Sequence, residues 1–307
     1  MNSEPVYHIP ALLPQTIEAL NIDGEGIYAD ATFGGGGHSR GILENLGESG
    51  RLYVFDQDEE ALANAPSDTR LTAIHGNFRF IDQYLRYYGV CGEVAGILAD
   101  LGVSFHHFDD PDRGFSFRFA GPLDMRMNRR AKRTAAELLA TESEESLADM
   151  FRLYGELRQA RKLASVIVSA RSEQPIATVE RLLELVKPYI SPKSEKKELA
   201  QLFQALRIVV NDEIAALEQF LQRSLKSLKP GGRLAIITYH SLEDRLVKNF
   251  MRTGRIDGKE QKDFYGRNLS PFKLLTSKPI VADDAEVGRN PRSRSAKLRV
   301  AEKLTEE

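Results

Sequence analysis

Three apolar runs in this chain end in carboxylates: "GIYAD" at Asp30, "GRLYVFDQD" at Asp56 and Asp58, and "EVAGILADLGVS" at Asp100. Four consecutive glycines, Gly34 to Gly37, follow the first run, and His38 comes directly after them. Glycine weakens any helix or strand that contains it. A run of four therefore implies a flexible loop or a backbone that lies flat against a ligand. A glycine loop followed some ~20 residues later by an acid closing the second strand suggests a ribose held by its hydroxyls. Asp56 fills that position. The signal fits NAD and S-adenosylmethionine alike.

Three features favour S-adenosylmethionine. The glycines start four residues after Asp30, whereas a dinucleotide fingerprint begins its glycines at the strand end. Acids at three strand ends would repel a pyrophosphate but attract a sulfonium and an amino group. The segment "LKPGGRLAII" before a late strand looks like its counterpart in Rossmann-like methyltransferases. No Gly-Lys-Ser/Thr is present, so a nucleotide triphosphatase loop is not indicated.

The elements that must position these groups follow from periodicity. Strands are expected at 26–30, 50–58, 71–78 and 93–104, alternating with helical stretches such as "FIDQYLRYYG". That rhythm predicts a parallel sheet with helices on both faces, and ligands of such sheets bind at the carboxyl ends of the strands. A long loop, "SFHHFDDPDRGFSFRFAGPLDMRM", then breaks the pattern. Thr134 and Glu137 fit a capping box, and helices are expected at 135–140, 143–154, 156–172, 178–188 and 196–228. In the last of these, Ile214, Leu217, Leu221, Leu225 and Leu228 share a face. "LKPGG" reads as its stop signal, and "RLAIITYHS" (233–241) as a buried strand. The expected organisation is one α/β domain, residues 1–107 and 206–307, interrupted by a mainly helical insertion at 108–205.

Composition sets outer limits. At 307 residues with 42% hydrophobic and 28% charged content, the chain suits a globular protein. No signal peptide or membrane-length apolar run is visible, and the single Cys91 rules out an internal disulfide or a multi-cysteine zinc site. A cytoplasmic location is expected, with no membrane partner and no metal. The net charge of −2 is not that of a polyanion binder, but basic residues cluster. Arg113 to Arg133 holds seven basic residues and one acid; Arg289 to Lys303 holds six and one. Either cluster suits solvated surface; together, beside a ligand loop, they point to nucleic acid.

At this point a specific resemblance emerges. "DATFGGGGHS", "HGNF", "LADLGVS", "RGFSFR…GPLDMRM", "FQALRIVVNDE", "LKPGGRLAIITYHSLEDRLVK" and "NPRSRSAKLR" occur in the order of the bacterial ribosomal RNA small subunit methyltransferase H family, also called MraW. The resemblance runs from His8 to about Arg299. It implies a Rossmann-like class I methyltransferase with an inserted helical domain. It also implies methyl transfer from S-adenosylmethionine to N4 of a cytidine in the decoding region of 16S rRNA, within the small ribosomal subunit. By position it assigns Gly36, Gly37, His38, Asp56, Phe78, Asp100 and His107 to the cofactor. His107 stands where many members have Gln; its hydrogen-bonding capacity is retained but its reach differs. Phe78 also suits the core. Asp100 is further expected to accept a proton from the reacting amine. His106, His107, Asp109 and Asp110 read as a solvated loop rather than a metal site. His240, Ser241 and Asp244 in "YHSLEDR" read as lining for the target base, or as a helix cap by Ser241 with Asp244. Three rivals remain: a methyltransferase of another nucleic acid, a noncatalytic RNA-binding assembly factor, and an NAD oxidoreductase.

Overall fold

The computed structural model describes residues 10–102, 108–266 and 269–305. They form two compact units, one within Met1–Gly102 and Ala215–Glu307, the other within Val103–Ile214.

The first unit is built on a sheet of eight strands. Helix α1 (Leu13–Leu20) precedes β1 (Ile27–Asp30), α2 (Gly37–Asn45), β2 (Arg51–Asp56), α3 (Glu59–Leu62), β3 (Leu71–His75), α4 (Ile81–Tyr87) and β4 (Val94–Asp100). The strand order begins β3-β2-β1-β4, with all four parallel. The order reverses between β1 and β4, which opens a crevice at their carboxyl ends. β1 and β4 are buried along most of their length, so their apolar runs need no alternation. Apolar layers cover both faces of the sheet: Phe55, Ile81, Ile97 and Phe220 on one, Leu20, Tyr28, Leu52 and Leu98 on the other.

The second unit is helical. It holds α5 (Ala135–Thr141), α6 (Glu144–Leu153), α7 (Ala160–Arg171), α8 (Val179–Val186) and α9 (Glu195–Val210) around one apolar core that includes Leu138, Phe151, Leu163 and Leu206. Thr134 and Glu137 form the expected capping box on α5. The chain then returns to the sheet through α10 (Glu213–Ser227). The single helix expected at 196–228 is thus two. They divide at Asn211 and Asp212, where Asp212 takes a left-handed φ of 52°. The Asn211 side chain accepts from the Met127 amide at 2.7 Å and donates to the Met125 carbonyl at 2.8 Å.

β5 (Leu228–Thr238) pairs parallel with β4, followed by α11 (Ser241–Thr253), β6 (Phe272–Leu274), β7 (Ile280–Val281), α12 (Asp284–Arg289) and β8 (Lys297–Lys303). "LKPGG" was expected only to stop a helix; it also starts β5, with an irregular register against Val94 and Gly96. β8 runs antiparallel to β5, and both β6 and β7 pair with β8.

Candidate active site

The first strand-end acid faces inward. Asp30 is 1% exposed. It accepts from the Thr32 amide at 3.0 Å and from Ser39 Oγ at 2.6 Å. Thr32 Oγ1 accepts the Asp100 amide at 2.7 Å. One buried carboxylate thus ties β1, the first turn of α2 and the end of β4 together. Burial pushes its carboxyl above the usual range, against the lowering effect of Ser39 and His38. Asp30 is therefore the frame of the site.

The second acid holds the glycine loop. Asp56 accepts the Gly34 amide at 2.8 Å on one oxygen and the Asp58 amide at 2.9 Å on the other. A carboxylate offers about four lone-pair sites and only accepts, which suits it to hydroxyl donors. Gly36 has a left-handed φ of 73° and caps α2; a Cβ there would lie 2.7 Å from the Phe33 ring. A Cβ on Gly37 would lie 2.8 Å from the Pro10 ring. Both are explained by the chain itself. Gly35 is not: its φ is not positive, and a Cβ there would meet nothing within 4 Å. No described residue requires glycine at 35, and the open space over its backbone leaves room for a ligand to lie against it. The loop, the first-turn amides of α2 and the strand-end carboxylates therefore fit S-adenosylmethionine, whose carboxylate, amino group, sulfonium and ribose ask for this mix of donors and acceptors.

The third acid sits in a network. Asp100 Oδ1 accepts the Tyr239 hydroxyl at 2.8 Å, and Oδ2 lies 3.6 Å from His38 Nδ1. Its side chain is 23% exposed. Burial pushes its carboxyl up to about 6, against His38 and Tyr239, while Asp30 and Glu243 push it higher. Burial and the Asp100 charge hold the Tyr239 phenol well above its ordinary range, so it stays a donor. Gly102, with φ of 132°, lets the Tyr239 ring approach; a Cβ there would lie 3.2 Å from it.

His38 is buried, and its Nε2 lies 3.0 Å from the Ala11 carbonyl. Both ring nitrogens thus face protein atoms, so a cofactor contact from His38 would come from its backbone. Phe78 lies in a short turn capped by Asn77 and packs edge-on against Phe220 at 5.1 Å. It therefore has a core contact as well as partial exposure. His107, with His106 and Ser104, lies outside the described residues.

The "YHS" cap is one residue earlier than expected. His240, not Ser241, caps α11, in a box with Glu243. His240 Nε2 lies 3.0 Å from Glu243 Oε1 without making a hydrogen bond. Asp244 instead receives Arg299 at 2.7 and 3.2 Å. Both pairs have the i, i+3 spacing of a capping box; Asp244 is committed to Arg299 and Lys297, and Glu243 takes the cap. Sequence reasoning missed Tyr239, Thr32 and Ser39. Tyr239 stands two residues beyond Ile237, the partner of Asp100 in the β4–β5 ladder; only strand register reveals that.

The basic clusters divide between scaffold and surface. Arg113 is 2% exposed and donates to the Arg126 and Met127 carbonyls. Arg126 lies in the first cluster, which with the second pointed to nucleic acid. Its guanidinium instead grips Asp124 at 2.8 and 2.7 Å and the Ala131 carbonyl at 2.8 Å. Arg118, Arg129, Arg130 and Lys132 are exposed. In the second cluster Arg299 and Lys297 pair with Asp244, and Lys303 donates to the Leu228 carbonyl. Arg289 and Arg294 are exposed.

The sequence pattern of the MraW methylase family matches residues 5–304. Ribosomal RNA small subunit methyltransferase H of Parabacteroides distasonis is 59% identical over 97% of this chain and 98% of its own. The proteins of that name from Bacteroides fragilis strain NCTC 9343 (58%, covering 98% of each chain) and Porphyromonas gingivalis strain ATCC 33277 (53%, covering 99% of each) are similar too. Among solved structures, an S-adenosylmethionine-dependent O-methyltransferase of Thermotoga maritima aligns over 96% of this chain and 65% of its own at 9% identity, with a TM-score of 0.39. That level carries no argument, and the fold rests on the strand order.

Proposed function

The chain belongs to the MraW methylase family, and from that premise we propose that it methylates N4 of a cytidine in the decoding region of 16S rRNA, on the small ribosomal subunit. The observation that carries the reading is the end of the parallel sheet. There Asp56 orders a glycine loop with an unexplained Gly35, and a partly exposed Asp100 is the acid of β4.

S-adenosylmethionine, when bound, supplies an electrophilic methyl on a sulfonium. Asp56 would hold its ribose, and the loop of Gly34 to Gly37 with the first turn of α2 its amino acid end. The amine of cytosine is a weak nucleophile because its lone pair is delocalised into the ring. Alignment of the reacting atoms is therefore the main contribution of the chain. Asp100, an acceptor when ionised, would orient an N4 hydrogen and take the proton released as that nitrogen gains positive charge. The target base must leave its stack to reach such a crevice. In the helical unit, residues 108–205 in this reading, Arg118, Arg129, Arg130 and Lys132 would hold RNA phosphates.

Mass spectrometry of nucleosides from unmodified 16S rRNA and from small subunits, each incubated with the protein and S-adenosylmethionine, tests this. N4-methylcytidine in the decoding region is expected, with the subunit the better substrate. Methylation of DNA alone, or none of any nucleic acid, would overturn it.

A further inference from the structure

His38 Nε2 faces the Ala11 carbonyl at 3.0 Å. A carbonyl only accepts, so Nε2 carries the proton. The neutral ring then presents the Nδ1 lone pair to Asp100 Oδ2, 3.6 Å away. A lone pair facing an ionised carboxylate in a buried setting is repulsive. One proton between them turns the contact into an attraction, and the 3.6 Å separation is of the kind that tightens when a reacting complex forms.

The surroundings favour that proton. His38 lies on α2, with Asp30 of β1 near it. Around Asp100 stand Asp30, Glu243 of α11 and the Tyr239 phenol. Glu243 and Glu286 bear on Tyr239. Among the described residues, His38 is the basic group placed against Asp100, at 3.6 Å.

We infer that His38 and Asp100 form a single proton-sharing unit, in which Asp100 receives the proton displaced from the substrate amine and His38 Nδ1 shares it, with Tyr239 setting how strongly Asp100 holds it. Asp100 touches substrate in this account; His38 and Tyr239 are positioning residues that act through it. The consequence for catalysis rests on the methyl-transfer reading above, but the proton site does not. In the step, a C–N4 bond forms as the S–C bond breaks, and sulfur keeps that electron pair. The N4–H electron pair returns to nitrogen as its lone pair. The proton passes to Asp100 Oδ2, is shared with His38 Nδ1, and leaves to solvent before the next turnover.

The test needs no cofactor. In full-length protein carrying 13C-labelled aspartate, the Asp100 carboxyl is titrated by NMR across its transition at about 6. In His38→Gln, which keeps a donor for the Ala11 carbonyl and removes Nδ1, the Asp100 transition should move up, because a partner that stabilises its charged form is lost. In Tyr239→Phe it should also move up, because Asp100 loses a hydrogen bond to its charged form. A His38 that only packs against Ala11 predicts no movement in His38→Gln, and that result overturns the proposal. If His38→Gln does not fold, His38→Asn is titrated in its place, with the same two outcomes. Methylation by the wild-type protein is assayed separately, so failure of the proton unit and failure of the methyl-transfer reading are distinguished.

Discussion

The two units treat their charges in opposite ways. In the helical unit, burial pushes the Asp124 carboxyl up, but the hydrogen bonds from Arg126 outweigh this and hold it below its ordinary value. The pair is bidentate, and each charge has its partner two residues away. At the sheet end, burial pushes Asp30 and Asp100 up, and the groups that lower them are His38, Ser39, Thr32 and Tyr239 rather than an arginine or lysine. A paired charge of the first kind fixes a turn. Carboxylates of the second kind are kept at a cost in stability and are available to a cation or a proton. The contrast separates scaffold from site more sharply than charge density does, since the densest basic stretch contains Arg113 and Arg126, both committed internally.

The sharpest way to break the contrast is to fill the gap that the fold leaves empty. Gly35→Val should leave thermal stability nearly unchanged, because its Cβ meets nothing. It should nevertheless weaken S-adenosylmethionine binding about a hundredfold or more, about 2.7 kcal/mol, read by calorimetry. Unchanged affinity would remove the loop from the site. Asp56→Ala is expected next in size, with affinity lower by about ten- to a hundredfold through lost charge-assisted hydrogen bonds of roughly 1.5–3 kcal/mol. Part of that loss would come from the Gly34 amide it releases.

Stability against pH sharpens the comparison further. The Asp100 carboxyl titrates at about 6 in the folded chain, above its unfolded value of ~3.9. Its destabilising effect is therefore absent below the unfolded value, grows as pH rises to about 6, and is constant above that. Asp100→Asn should gain ~1–3 kcal/mol over wild type at pH 8 and little of that at pH 4, measured by urea unfolding. An equal difference at both pH values would mean that the carboxylate is not strained. The smallest effect is expected from the surface charges. Arg129→Glu with Arg130→Glu should weaken RNA binding several-fold and flatten its dependence on salt, with cofactor affinity unchanged.

What the sequence revealed follows from the range of the interactions. The alternation of β1 to β4 with helices, the strand-end acids and the Thr134–Glu137 box depend on near neighbours, and all were legible. The break at Asn211 and Asp212 carries no glycine or proline, and its cause is the distant Met125 and Met127. Asp30 stood with the strand-end acids expected to face a cation because its link to β4 runs through Thr32, which meets Asp100, 68 residues away. Tyr239 was hidden for the same reason. Arg126 looked available because composition shows charge without showing its pairing with Asp124.

The central claim, that Asp100 accepts the proton of the reacting amine, is tested most directly by single-turnover methyl transfer at saturating cofactor and RNA. The wild-type rate should rise with pH through about 6, where Asp100 ionises, and then level off. Asp100→Asn should be slower at the plateau by about 10²-fold or more, without that rise. An Asp100→Asn rate equal to wild type at saturation would contradict the account and leave Asp100 as a binding group alone.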